Sequence, residues 1–343
     1  MRPLRILVTT VGGLSSPDII RALRDNGERD VWVLGVDPHR HAVGRGFTDR
    51  FFTVPDSGID PEAFSQSVKA LAQEFRVDVV VPCGNEDNLA LAASGASEVP
   101  VMVGALKDLR RAYDKKTVYE RLAAGFPSHA PKFFSVTNVE ELLRAAEALG
   151  YPNRDVVIKP RTGRGGRGVL RLTADPNLAD VLTRKNDGFM PLTAFVQILE
   201  RGQPTDLLAM ECLSEPFYSI YALSDNGNVL ASVVHEREWG TASQTYRGAV
   251  QERTDLDAMS AWLGTEFNLS FAVNFEVATT EDGQLALFDL NPRLAASSGV
   301  AAGLGVNLPY LALKLFLGEP IGPINVRELY GRRFFRHLQH YWD

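Results

Sequence analysis

One rhythm repeats from Arg5 to Gly84: an apolar run, a turn, an amphipathic segment, then another apolar run. The runs are RILVTTV, VWVLGVD and VDVVVPCG; GGLSS and DIIRALRDNG follow the first, and EAFSQSVKALAQEF precedes the third. Strands apolar at every position need cover on both faces, and segments with apolar residues at helical spacing supply it. The pattern therefore predicts a small parallel sheet with helices on both sides, closed by a short VPVMVG. At 343 residues and 45% hydrophobic, the chain is long enough for two or three domains.

Charge and cysteine content narrow the function classes. The net charge of −6 is spread among both signs, without the basic block expected of a nucleic-acid binder, so no nucleic-acid partner is expected. Cys83 and Cys212 are far apart and lack metal-ligand spacing, which fits a reducing cytoplasm and argues against a disulfide framework or a zinc site. The opening MRPLRILVTTVGG carries an apolar run that threonines interrupt and glycines end. No targeting or membrane segment is expected.

From about Arg110 the texture changes. A helical DKKTVYERLAAG precedes a glycine-rich loop, and strand-rich runs follow, separated by NG and DG turns. FYSIYALSDNGNVLASVVHER and FAVNFEVATTEDGQLALFDLNPR both read as antiparallel hairpins. These shifts place boundaries near residues 110 and 205.

The loop itself is VVIKPRTGRGGRGV. Gly163, Gly165 and Gly168 match G-x-G-x-x-G letter by letter, but that dinucleotide pattern requires a helix to start within the loop. Here GVLRLTADP follows, alternating like a returning strand, so the loop caps a hairpin. A glycine-rich hairpin lets backbone N–H groups approach phosphate oxygens closely, and Lys159, stopped by Pro160, offers a fixed cation beside it. A mobile basic turn with a solvated lysine is the other reading of the same residues.

In the last hairpin Asp282-Gly283 suits a two-residue turn. Counting back pairs Glu281 with Gln284, Glu276 with Asp289 and Asn274 with Asn291, all on one sheet face. Two carboxylates directly opposite, about 5 Å apart, repel; a divalent cation removes the conflict, and carboxylate and amide oxygens suit Mg²⁺. The competing reading is a solvated hairpin edge or another register.

Together, the ordered stretches YDKKTVYERLAAGFPSHAP, VVIKPRTGRGGRGV, LLAMECLSEPFYSIYAL and FDLNPRLAASSGVAAGLGVNLPYLALKLFLGEP, with GRRFFRHLQHYWD closing, resemble the ATP-grasp enzymes. The branch is the one similar to the carbamoyl-phosphate synthetase large subunit and related carboxylate–amine ligases, and the resemblance covers nearly the whole chain. It implies an α/β fold of the α+β ATP-grasp type. A Rossmann-like parallel-sheet domain would occupy residues 1–109, a small lobe with the glycine-rich flap 110–205, and a large lobe with antiparallel strands and a metal site 206–343.

The resemblance also implies ATP and Mg²⁺ as cofactors. Lys115, with Lys116 as fallback, and Lys159 would hold the phosphates beneath a flap that includes Gly163, Gly165, Gly166, Arg167 and Gly168. Met210, Glu211 and Leu213 would meet adenine along a hinge edge. Glu276, Asp289 and Asn291 would bind Mg²⁺, with Arg293 on a transferring phosphoryl group or a substrate carboxylate. Two departures stand out: Pro216-Phe217-Tyr218-Ser219 replaces the usual carboxylate that grips ribose, with Glu215 out of register, and Asp289 stands where Glu is common. Arg237, Arg247 and Arg293 are candidate contacts for a substrate carboxylate, because arginine binds carboxylates bidentately. Ser297 and Ser298, after the NPR segment, are further candidates; surface arginines and turn serines are the competing reading.

The activity implied is that of a cytoplasmic ligase joining a small carboxylate to an amine through an acyl phosphate, releasing ADP and phosphate. Partners are the two small molecules, with a homodimer through the N-terminal domain as in similar enzymes. Two alternatives stay open: a small-acid phosphorylating enzyme of carbamoyl-phosphate type, less favoured for want of an ammonia-delivery domain, and a nucleotide-binding regulatory module. His337 and His340, spaced i, i+3 on an expected terminal helix, lack a third metal ligand, and His39 and His41 read as solvated. Asp37 after the second strand hints at a dinucleotide site, which GGLSS does not support.

Overall fold

The computed structural model describes residues 2–95, 98–163, 166–174, 188–202, 206–241, 244–295, 298–337 and 339–342. In chain order it begins with β1 (Leu4–Val8), α1 (Ser16–Arg24), β2 (Val31–Asp37), β3 (Arg50–Thr53), α2 (Pro61–Glu74), β4 (Val79–Val81), α3 (Asn85–Ala93) and α4 (Leu106–Tyr113). There follow α5 (Lys115–Gly125), β5 (Phe133–Val136), α6 (Val139–Ala148), β6 (Val156–Pro160), β7 (Leu170–Thr173), β8 (Phe189–Pro191), α7 (Leu192–Arg201) and β9 (Leu207–Glu211). The remainder comprises β10 (Ser214–Asp225), β11 (Asn228–Gly240), β12 (Thr245–Val250), α8 (Thr254–Glu266), β13 (Phe271–Thr279), β14 (Leu285–Asn291), α9 (Ser298–Gly303), α10 (Leu308–Phe316) and β15 (Arg333–Phe335).

Contacts divide the chain into two compact units: Met1–Ala112, Tyr218–Glu276 and Leu290–Asp343 in one, Tyr113–Phe217 and Val277–Asp289 in the other. The three consecutive segments expected from the sequence are thus regrouped, with the first hundred residues sharing a unit with most of the chain after Tyr218.

In the first unit β3-β2-β1-β4 form a parallel sheet, with Leu4 opposite Val31 and Ile6 opposite Val79. Ile6, Leu7 and Val8 are fully buried because successive side chains face opposite sides and both sides are covered. Ile6 and Val8 enter a core with Leu23 of α1, Tyr221 and Leu223 of β10, Val250 of β12 and Leu313 of α10, whereas Leu7 packs with Phe64, Val68 and Ala72 of α2. Each such side chain contributes about 1.5–3 kcal/mol of burial free energy, which is why the apolar rhythm of the sequence was so direct a guide here. At the ends of β1 and β4, Asp87 of α3 is buried and accepts hydrogen bonds from the hydroxyls of Thr9, Thr10 and Ser57. Asp37 accepts from the N–H groups of Gly12 and His39, an internal use that accounts for a carboxylate at this position without a dinucleotide.

The longer sheet has the order β14-β13-β10-β11-β12-β15, and its β11–β12 and β12–β15 pairs are antiparallel. Asn226 and Gly227, both at positive φ, close the β10–β11 hairpin as the NG pair predicts. The expected terminal helix carrying His337 and His340 is absent; the chain there is irregular and both histidines are exposed.

The second unit is built on the sheet β5-β9-β6-β7-β8, mixed because β7 and β8 run parallel. Val156 and Ile158 of β6 pack with Leu142 and Ala145 of α6 and Phe195 of α7. Helix α6 starts at Asn138, whose side chain accepts from the Glu141 N–H at 2.9 Å, while the Glu141 carboxylate returns to Thr137.

One expectation needs correction. Thr280 N donates to Gln284 O at 2.8 Å and Gly283 N to Thr280 O at 3.0 Å, so the loop holds three residues, Glu281, Asp282 and Gly283, not two. Gly283 takes the left-handed conformation, φ 77°, that such a bulged loop requires. Thr280, not Glu281, pairs with Gln284, and the register counted from a two-residue turn loses its starting point. Asn274 is buried, and its amide donates to Ile220 O and Phe275 O.

Among the described residues no helix is long and apolar enough to cross a membrane.

Candidate functional site

In the second unit, the start of α5 is fixed by two devices. Asp114 caps the helix, accepting from Lys116 N, and its carboxylate takes a two-pronged grip from Arg161, Nε and Nη2 each at 2.6 Å. Burial opposes the Asp114 charge, but the Arg161 and Thr117 hydrogen bonds prevail and hold its carboxyl below the usual range. Because Arg161 directly follows β6, this grip joins the helix start to the strand that carries Lys159.

Lys115 and Tyr119 lie one turn apart on α5 and so share a face. Lys115 Nζ stands 3.2 Å from Asp289 Oδ1 and donates to Gly163 O at 3.1 Å. Lys116 instead faces Glu120 at 3.9 Å, which favours Lys115 as the helix's contribution to the site. Tyr119 is fully buried; its hydroxyl donates to Phe288 O at 2.6 Å and accepts from Lys159 Nζ at 2.6 Å. Lys159, only 4% exposed, also donates to Phe288 O at 3.1 Å. Burial, then the Lys115 charge, push the Lys159 ammonium down to about 7 against the opposing pull of Asp289. Burial likewise holds the Tyr119 phenol well above its ordinary value.

The flap is a hairpin, as expected: β6 pairs antiparallel with β7, Val156 opposite Leu172. Gly163, Gly166, Arg167 and Gly168 are exposed, and Gly165 lies outside the described residues. Gly166 and Gly168 have φ of 72° and 73°, and a Cβ on Gly168 would also meet Pro160 Cγ at 2.8 Å. Gly168→Ala is expected to cost about 1–2 kcal/mol of local hairpin stability, more than Gly166→Ala, where a Cβ meets nothing. Equal thermal melts for the two variants would contradict this.

The expected hinge edge is the end of β9. Met210 is buried within the sheet, opposite Phe133 and Val157, so its side chain belongs to the core. Glu211 exchanges hydrogen bonds with Lys132: its N–H donates to the Lys132 carbonyl at 3.0 Å and its Oε1 accepts from Lys132 N at 2.7 Å. Leu213 lies in the short link before β10. Phe217, where a ribose-gripping carboxylate was missed in the sequence, packs edge-on against Phe288 at 6.1 Å.

The first unit holds a separate polar group. Glu276 Oε1 accepts from Ser219 Oγ at 3.4 Å and lies 3.7 Å from Arg237 Nη1; Arg237 Nη2 also donates to Thr241 O at 2.7 Å. Asn291 is buried, and its Oδ1 accepts from Arg293 Nη2 at 3.1 Å, while Arg293 Nε donates to Asn85 Oδ1 at 2.6 Å. Among the described residues no three His, Cys, Asp or Glu side chains gather as a metal cage; the expected ligand set has two carboxylates and an amide.

Two candidate substrate contacts are not brought to these groups. Arg247 is half exposed and pairs with Glu238 at 3.2 Å. Ser298 is buried and its Oγ accepts from Ala295 N at 2.8 Å, a local use that explains the serine; Ser297 lies outside the described residues. Conversely, the reading of the sequence missed Tyr119, Ser219 and Asn85. Tyr119 alone carried a usable signal, its position four residues after Lys115 on one helix.

Comparison with known proteins bears on the fold. A family model described as "ATP-grasp in the biosynthetic pathway with Ter operon" matches residues 203–331. The chain is 21% identical over 316 residues, 89% of its length, to the carbamoyl phosphate synthase large chain of Gemmatimonas aurantiaca, of which it spans 27%. It thus covers less than a third of the length of the first curated relatives it matches. Among solved structures, N5-carboxyaminoimidazole synthetase from Staphylococcus aureus, complexed with ADP, superimposes with a TM-score of 0.67 at 14% identity, covering 93% of this chain and 78% of that one. An L-amino acid ligase from Bacillus licheniformis gives 0.60 at 15% identity, covering 96% and 76%. At these identities the likeness establishes the fold.

Proposed function

We propose that this chain, a member of the ATP-grasp superfamily, is an ATP-dependent carboxylate–amine ligase that forms an amide or peptide bond through an acyl phosphate. The observation that carries the reading furthest is Lys159. Its buried nitrogen hydrogen-bonds to two neutral oxygens, the Tyr119 hydroxyl and the Phe288 carbonyl, so these contacts do not neutralise its charged form, which a bound anion would favour.

Bound ATP supplies the phosphoryl group that activates the acid. In this reading Lys115 and Lys159 neutralise phosphate oxygens, and the flap from Gly163 to Gly168 covers them with backbone N–H groups and keeps water out. Glu276, Asp289 and Asn291 present the hard oxygens that suit Mg²⁺. Arg293, steadied by Asn85, faces the transferring phosphoryl or the acid's carboxylate, and Arg237 is a second candidate for that carboxylate. The amine then displaces phosphate from the activated acyl group. The chain's contribution is charge neutralisation and placement, and no nucleophilic side chain is required.

The test is ADP and phosphate release by the purified protein with Mg·ATP and pools of small acids, with and without amines. Release that needs both components is the expected result. Release with an acid alone would identify an acyl-phosphate maker. Nucleotide binding without release from any pool would favour a regulatory module, the outcome to which Phe217 at the ribose position lends most weight.

A further inference from the structure

Lys159 needs a partner to make it useful. A lysine has a long rotatable stem, and a buried ammonium turns toward whatever acceptor it finds, so its direction must be imposed by neighbours. In the second unit that neighbour is Tyr119. The tyrosine ring is fully buried, its edge meets Phe133 at 5.2 Å between centroids, and the Lys159 ammonium sits 5.0 Å from the ring centroid. Two torsions then fix the hydroxyl, which stands 2.6 Å from both Lys159 Nζ and Phe288 O. Phe288 directly precedes Asp289, the carboxylate that faces Lys115 from the same helix at 3.2 Å. One rigid helix therefore engages two successive residues of β14, the carbonyl of Phe288 through Tyr119 and the carboxylate of Asp289 through Lys115.

We propose that Tyr119 is a positioning residue for nucleotide binding: its hydroxyl sets the direction of the Lys159 ammonium and couples that ammonium to the backbone beside Asp289. The proposal rests on the reading of Lys159 as a phosphate contact. Without the hydroxyl, Lys159 keeps Phe288 O at 3.1 Å as its hydrogen-bond acceptor among the described residues, and its head is free to turn away from the phosphate. Losing this hydrogen bond to a charged group, with part of it recovered by reorientation, corresponds to about a tenfold weaker complex.

The experiment is a double-mutant cycle read by calorimetric titration with Mg²⁺ and a non-hydrolysable ATP analogue. It compares the unsubstituted chain, Tyr119→Phe, Lys159→Met and the double variant, each checked for folding by thermal melt; Tyr119→Met replaces the phenylalanine variant if that one does not fold. Tyr119→Phe should weaken binding about tenfold in the unsubstituted background and less than about twofold when Lys159 is already methionine. Unchanged affinity in Tyr119→Phe, or an equal loss in both backgrounds, would overturn the proposal, the latter by showing a general structural effect. If Lys159→Met binds as tightly as the unsubstituted chain, the reading of Lys159 itself fails, and the positioning role fails with it.

Discussion

Lys159→Met is expected to weaken the binding of Mg·ATP about a hundredfold and yet to raise the melting temperature of the nucleotide-free protein. The first effect would follow from removing the buried cation proposed to meet phosphate, about 3 kcal/mol in a water-poor site. The second follows from what that cation costs the fold. In the unfolded chain this lysine titrates near 10.5, whereas burial and the neighbouring Lys115 bring it to about 7 in the folded protein. Between those values the unfolded state binds more protons, so stability rises with pH across the window, and the full penalty is present below about 7. Methionine fills the same space without a charge. Thermal melts at pH 6.5 and 9.5, conditions on either side of most of that window, check the sign: the melting temperature of the unsubstituted chain should gain on that of the variant at the higher pH. Parallel behaviour of the two proteins would place the lysine near its ordinary value.

Asp289→Asn should remove Mg²⁺-dependent turnover, by about a hundredfold or more, with a melting temperature within about 2 °C of the unsubstituted chain. The side chain is exchanged for one of equal shape, so packing is kept while the charge is lost. The 3.2 Å approach of Lys115 Nζ would feel it, as would any cation held by this carboxylate. Because Lys115 also donates to Gly163 O, the helix keeps one tie to the flap. Turnover measured against added Mg²⁺ decides the matter; an unaltered profile would remove Asp289 from the metal set.

The fold was legible where burial is two-sided and periodic. Ile6, Leu7 and Val8 sit in two different cores, and continuous apolar runs of this kind announce a covered parallel sheet. The glycine flap was legible as a hairpin because GVLRL alternates, and the structure pairs it with β6. What failed depended on one residue of register. Asp282-Gly283 satisfies both a two-residue and a three-residue loop, and only the hydrogen bond from Thr280 to Gln284 distinguishes them. The regrouping of segments into two units was hidden for another reason, because the contacts that join α1 to α10 or β1 to β10 connect residues far apart in sequence. Within the candidate site, the charged residues were visible as types in a pattern. Tyr119 was passed over because an aromatic residue at helical spacing ordinarily means core, and here it is core and hydrogen-bonding partner at once.

The loop that follows β1 has a chemical polarity set by its own interior. Thr9 and Thr10 turn their hydroxyl protons toward Asp87, and Ser57 does the same. The N–H groups of Val11, Gly12 and Gly13 are engaged by Val36 O, Asp37 and Thr10 O. A paired glycine after a first strand resembles a cradle for anions, but a cradle works by presenting donors, and these donors already point inward. With these donors spent inside the fold, the glycine pair after β1 is accounted for by the geometry of the loop itself.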